Sequence, residues 1–224
     1  MGIHERKERE KEQRREEILQ AATKVFFEKG LQVATMDEIA DAAELSKGTL
    51  YLYYKSKEDL YLGVMSIGID ILYDMFLKAT ERTASTLETL RSFSRAFVEF
   101  FRTHRDYYRM FHFFQNPQLH KQVSDEMKEY CRTNNQKLWD LATKILQRGV
   151  DEGLLRKDLA PIEMAFLVWS TSNSIMMQID FQQMHWRNHI GLDLDHMLEK
   201  ANELLLETLL TEDARAKLER PTVA

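Results

Sequence analysis

Apolar residues recur along this chain at the spacing of helix faces. Ile18, Ala22, Val25 and Phe26 stand at i, i+4, i+7 and i+8, which predicts a buried helix face that Gly30 stops near Lys29. Thr35 followed by Glu38 reads as an N-terminal capping box. Met36, Ile39, Ala40 and Ala43 share one face, so a short helix is expected from 36 to about 43. Glu44-Leu45-Ser46 is then a turn, and Ser46 caps a third helix from Lys47 to Tyr54. Ser56 with Asp59 opens a long fourth helix through Leu60, Val64, Ile67, Ile71 and Met75. The period stays helical through Leu87, Leu90, Phe93, Phe97 and Phe101, then Tyr107, Tyr108, Phe111 and Phe114, with a break at Pro117. A long amphipathic segment over 118–151 carries Leu119, Val123, Met127, Cys131, Leu138, Leu141 and Ile145. Pro161 suits a helix start; 162–184 is apolar nearly all round, and 195–211 has a broad apolar face, so both need a large buried surface. Residues 4–17 instead alternate acid and base, as in a solvated, frayed helical arm.

Composition sharpens this into an all-α fold class. With 3 Pro and 8 Gly in 224 residues, the chain has little punctuation for the tight turns of a sheet protein. The lone Cys131 excludes an internal disulfide or a four-cysteine zinc cluster, and a reducing, cytoplasmic setting is expected. The charged first residues lack the apolar run of a secretory signal. Apolar stretches such as 164–169 fall short of the roughly 20 residues a bilayer span needs, so no membrane partner is expected. Net charge is −5, and the first sixty residues hold 11 Lys+Arg against 13 Asp+Glu, so a case for nucleic acid has to rest on the placement of charge.

That placement is informative at 36–54, where two short helices joined by a three-residue turn make a helix-turn-helix unit. Leu50 and Tyr54, four apart, share the packing face, while Lys47, Gly48, Tyr51 and Lys55 point elsewhere. Lys47 places a cation in the first turn. Gly48 lets the backbone approach closely, and Thr49 and Tyr51 offer hydroxyls to phosphates and base edges. Lys57, in the first turn of the fourth helix, would meet a phosphate together with free backbone N–H groups.

The run ILQAATKVFFEKG followed by TMDEIADAAELSKGTLYLYYKSKEDL, over residues 17–62, resembles the DNA-binding domain of TetR/AcrR-type repressors. The resemblance is most specific in SKGTLYLYYKSKEDL. It implies that Thr35, Thr49, Tyr51, Tyr53 and Lys57 touch phosphate, that Lys47 and Gly48 lie near base edges, and that Tyr54 belongs to the core. Two residues depart from the family's pattern: Glu44 stands where glycine is common, and Leu52 replaces a frequent polar or aromatic residue. The resemblance also implies a helix-turn-helix domain over 1–60, and a helical ligand-binding and dimerisation domain over 61–224. The protein would be a homodimer on a palindromic operator in double-stranded DNA, released by a small molecule.

In the second part, nine of the twenty-two residues from Phe93 to Phe114 are Phe or Tyr, more than one helix face can send into one core. A pocket for an apolar or aromatic effector is expected from Met65, Phe97, Phe101, Tyr108, Phe111, His112, Trp139, Trp169, Asn173 and Met177. Asn173 either orients that ligand or is satisfied across a dimer interface or by backbone. His185 and His189 stand four apart without a carboxylate at ligand spacing, so no metal is assigned, and no cofactor is expected. No Gly-rich phosphate loop, HExxH sequence or other catalytic motif occurs, so the chain is not expected to be an enzyme. The expected function is a ligand-responsive repressor whose helices near 162–184 and 195–211 pair between copies. The alternative is a helical carrier or interaction protein that keeps the head without using it on DNA.

Overall fold

The computed structural model describes residues 3–81, 85–114 and 121–219. Its helices are α1 (Ile3–Val33), α2 (Met36–Ala42), α3 (Lys47–Tyr53), α4 (Lys57–Glu81) and α5 (Thr86–Thr103). They continue as α6 (Arg105–Phe114), α7 (Asp125–Asp151), α8 (Pro161–His185), α9 (Leu194–Leu209) and α10 (Glu212–Glu219). Among the described residues there is no strand, and Leu155 and Leu210 form an isolated antiparallel bridge. The expected break at Pro117 and the apolar position at Leu119 lie outside the described residues, as do the side chains of Phe113 and Phe114.

Three local features differ from the periodicity. The charged arm is helical from Ile3 onward and continuous with α1 rather than frayed. Gly30 interrupts α1 at φ 72, ψ 168, and one more turn of helix follows to Val33. After α8 comes a π-helical turn, Trp186–Ile190, closed by Gly191 at φ 74, where a side chain would be strained.

Packing groups the chain into two compact units, one of Met1–Ile71 with His104–Asn135 and one of Leu72–Thr103 with Gln136–Ala224. The boundary expected at residue 60 follows chain order, whereas α6 and the start of α7 fold back onto the head. Specific contacts hold them there. The Asp59 carboxylate accepts the Ser124 N–H at 2.8 Å, Ser66 Oγ lies 3.8 Å from Cys131 Sγ, and Gly68 receives the Tyr107 side chain so closely that a Cβ would stand 2.8 Å from Tyr107 Cβ and 2.9 Å from its ring. The core of this unit is built on Ile18, Phe26, Ile39, Leu50, Tyr54 and Leu60, with Phe26 meeting Tyr61 edge-on at 5.2 Å. Cys131 is buried in it, and burial pushes its thiol up to about 11.

In the second unit, Leu146, Leu155, Met164, Leu209 and Leu210 form a core against which Trp139 and Val168 pack. The segment after α7 is tied to the end of α9 by Arg156 N–H to Leu209 O at 2.9 Å and Thr211 N–H to Leu154 O at 3.0 Å. α4 is long and apolar enough to cross a bilayer, which the reading of short apolar runs missed, but most of that stretch is buried in the fold.

Candidate nucleic-acid interface

The head is fixed by caps that the sequence announces. Thr35 Oγ1 accepts the Glu38 N–H at 3.2 Å while Glu38 Oε2 accepts the Thr35 N–H at 3.0 Å, a reciprocal box that sets the start of α2. Lys29 pairs with the same Glu38 at 2.8 Å, which holds that carboxyl below its usual range. Ser46 Oγ accepts the Thr49 N–H at 3.1 Å and starts α3. Between them, the Leu45 N–H reaches Ala40 O at 2.9 Å and the Glu44 N–H reaches Asp41 O at 3.1 Å. This is the Schellman closure of a helix, and it places Glu44 at φ 55, the left-handed conformation that glycine adopts without strain.

With Leu50 and Tyr54 buried, the opposite side of α3 faces solvent. There, an open groove of about 420 Å³ gathers Thr35, Lys47, Tyr51, Lys55 and Lys57, five of the eight residues expected to meet DNA. Gly48 is exposed on the same helix, and a Cβ there would meet only Ser46 Oγ at 3.8 Å, so space alone does not require glycine. Thr49 and Tyr53 are half-buried, and Thr49 Oγ1 lies 2.8 Å from Ser46 Oγ. Leu52 is 83% exposed.

The groove's cations all have partners. Lys47 Nζ lies 2.9 Å from Asp37 Oδ2, a bond that raises the lysine pKa, and Lys55 Nζ lies 3.2 Å from Glu126 Oε2. Both pairs are solvent-exposed and therefore exchange readily for a phosphate. Lys57 is held differently. Its ammonium donates to Ala34 O at 2.7 Å and approaches Gln32 O at 3.5 Å, tying the start of α4 to the end of α1. Sequence reasoning missed Asp37 and Glu126; they stand ten and seventy-one positions from their lysines, beyond any local spacing signal.

The residues expected to line an effector pocket fall in both units. In the first, Met65 and Tyr108 are buried, Phe111 and His112 half-buried, and the Tyr108 and His112 rings meet edge-on at 4.6 Å. In the second, Phe101 is buried, Phe97 half-buried, and Trp139 and Trp169 meet at 5.7 Å. Asn173 and Met177 share the α8 face of Phe166 and Met184, turned away from buried Ser172 and Met176. The His185 and His189 rings lie 5.0 Å apart around the π turn.

A short helix presented with hydroxyls and lysines on a head of packed helices is how helix-turn-helix proteins enter the major groove, and the chain is of that DNA-binding class. Residues 18–64 match the family profile described as bacterial regulatory proteins, tetR family. The transcriptional repressor KstR2 of Mycolicibacterium smegmatis is 32% identical over 147 residues, covering 65% of this chain and 69% of that one. The transcriptional activator FasR of the same organism is 33% identical over 135 residues, 60% of this chain and 61% of that one. Among solved structures, Thermus thermophilus FadR, a repressor in complex with lauroyl-CoA, superposes with a TM-score of 0.64 at 27% identity, covering 94% of this chain and 99% of that one. The chain belongs to the TetR family of bacterial regulatory proteins and is a DNA-binding regulator of transcription.

Proposed function

We propose that the protein is a homodimeric repressor that binds a palindromic operator and is released by an effector with a long apolar portion. The observation that carries this is the groove that gathers Thr35, Lys47, Tyr51, Lys55 and Lys57 beside α3. Two such edges on a two-fold assembly match half-sites about 34 Å or more apart. The assembly is supported by α8, where Ile162, Phe166 and Met184 share an exposed apolar face, and by exposed Met197 and Leu204 on α9. A stripe of that kind on adjacent helices is what a second copy buries in a four-helix bundle. Asn173 sits within the stripe, which favours its role across the interface.

The lauroyl-CoA bound by the T. thermophilus relative supports an acyl-CoA as the first effector to try. α4 is continuous from Lys57 in the first unit to Glu81 in the second, so it is the covalent element through which occupancy reaches the reading edge. The effector acts only if it prefers the released geometry; a coupling of about 1–3 kcal/mol changes operator affinity roughly 5–150-fold.

The test is fluorescence anisotropy on a duplex selected from a random library by the full chain. Tyr51→Phe removes a groove hydroxyl and is expected to weaken duplex binding several-fold while leaving lauroyl-CoA affinity unchanged. Equal loss of both contradicts this division of labour. Ligand binding with no palindrome preference and no steep salt dependence supports the carrier reading instead.

A further inference from the structure

The arm that opens α1 is neutral in sum and strongly ordered in placement. Lys7, Lys11, Arg14 and Arg15 stand at i, i+4, i+7 and i+8, and the same progression continues through Ile18, Ala22 and Val25, which are buried in the core. The basic side chains therefore occupy the face that packs inward further along the helix, carried past the point where the fold supplies anything to cover it. Glu5, Glu8, Glu12 and Glu16 form a second stripe beside it at i, i+3, i+7 and i+11. This puts like charges four apart in two ladders, Lys7–Lys11–Arg15 and Glu8–Glu12–Glu16, a choice that weakens an isolated helix. The arm is laced by the pairs Arg6–Glu10 at 2.7 Å and Arg14–Glu17 at 2.8 Å, neither of which involves Lys7 or Lys11.

We infer that this basic stripe is a second DNA-binding surface that lies along the phosphate backbone beside the duplex segment read by α3. This rests on the DNA-binding reading of the head. Three observations select a polyanion as the occupant. Lys7 and Lys11 are exposed and take part in no ion pair among the described residues. The stripe ends at Arg15, whose guanidinium lies 5.8 Å from the centre of the Tyr54 ring, and Tyr54 is the C-cap residue of α3. The stripe is thus continuous with the end of the reading helix. From Lys7 to Arg15 the helix rises about 12 Å, the axial length of three to four base pairs, so its cations meet successive phosphates. The acidic stripe keeps that contact one-sided by repelling the duplex from the neighbouring face.

The experiment uses the full chain and two forms of the selected duplex: the palindrome trimmed to the bases that the selection specifies, and that core with ten base pairs of arbitrary sequence on each side. The triple variant Lys7→Gln, Lys11→Gln, Arg14→Gln is expected to bind the long duplex several-fold more weakly. The slope of log affinity against log salt should fall by about 2–3, with binding to the bare core unchanged. The matched variant Glu8→Gln, Glu12→Gln, Glu16→Gln controls for the helicity of the arm and is expected to bind the long duplex as well as the unaltered protein or better. An unchanged salt slope in the basic variant overturns the inference, as does equal loss in both variants. A change in oligomer mass without a change in slope overturns it too, by assigning the stripe to a second copy. Failure of the unaltered protein on both duplexes overturns the DNA-binding reading itself.

Discussion

Glu44 holds a left-handed backbone at φ 55 inside the turn that aims α3, with its N–H and that of Leu45 both committed to the end of α2. The family resemblance already marked this position as one where glycine is common. Relief of that conformation is worth about 1–2 kcal/mol, partly offset by the freedom glycine gains when unfolded. Glu44→Gly is therefore expected to stabilise the protein by about 1 kcal/mol in denaturant unfolding, and a loss of stability would refute the strain. Tyr54 makes a second residue-level case. Burial pushes its phenol from 10.0 up to about 12, and the buried Tyr61 is raised in the same direction. Below pH 10 both folded and unfolded forms keep the proton and stability is whole; between 10 and 12 the unfolded chain releases it while the fold does not. Stability should thus fall over that window, by about 2–3 kcal/mol for Tyr54. Unfolding midpoints measured from pH 9 to 12 check this, and Tyr54→Phe should flatten the decline; identical slopes would contradict the assignment. What the sequence hid at this scale is partnership over distance. Lys57 read as a phosphate ligand by its place in a first turn, yet its ammonium serves the carbonyls of Ala34 and Gln32.

Helix starts were legible wherever a side chain caps its own turn, as Thr35 and Ser46 do, because the signal lies within four residues. Ser56 and Asp59 show the limit. Ser56 Oγ accepts the Asp59 N–H at 3.0 Å as expected, but the Asp59 carboxylate reaches forward to Ser124, so a local cap also clamps α7 to α4. The return of α6 to the head was illegible for the same reason, since it depends on a notch in α4 at Gly68 that the Tyr107 ring fills. Tyr107 cannot swing away freely, because it also meets Phe27 edge-on at 4.9 Å. Gly68→Ala adds a helix-favouring methyl worth up to about 1 kcal/mol and drives it into that ring, an overlap costing about 1–3 kcal/mol. A net loss of up to about 2 kcal/mol in thermal unfolding is expected, and a rise in Tm would show the notch to be empty of consequence. The π turn at Trp186–Ile190 had no signature at all, since its composition suits an ordinary helix end.

At the scale of the molecule, the unusual feature is how much apolar surface α8 leaves bare, with Phe166 54%, Phe181 68% and Met184 67% exposed. The all-round apolarity of 162–184 was readable in the sequence and explains the helix: one side builds the core with Met164 and Met176, and the other is the face on which the proposed assembly rests. The double substitution Phe166→Glu, Phe181→Glu places carboxylates on that side. It is expected to halve the molar mass by light scattering without unfolding the head, since both residues belong to the second unit and are more than half exposed. An unchanged mass would move the assembly to another face.

The lysines of the groove have a consequence in the crowded cell. Because Lys47 and Lys55 arrive already matched to Asp37 and Glu126, the edge shows little bare charge to spectator polymers such as ribosomal RNA or heparin on a column. A phosphate that displaces those carboxylates trades one exposed ion pair for another, so the net gain has to come from further contacts such as those of the Tyr51 hydroxyl. The groove edge by itself therefore adds little to sequence-indifferent binding.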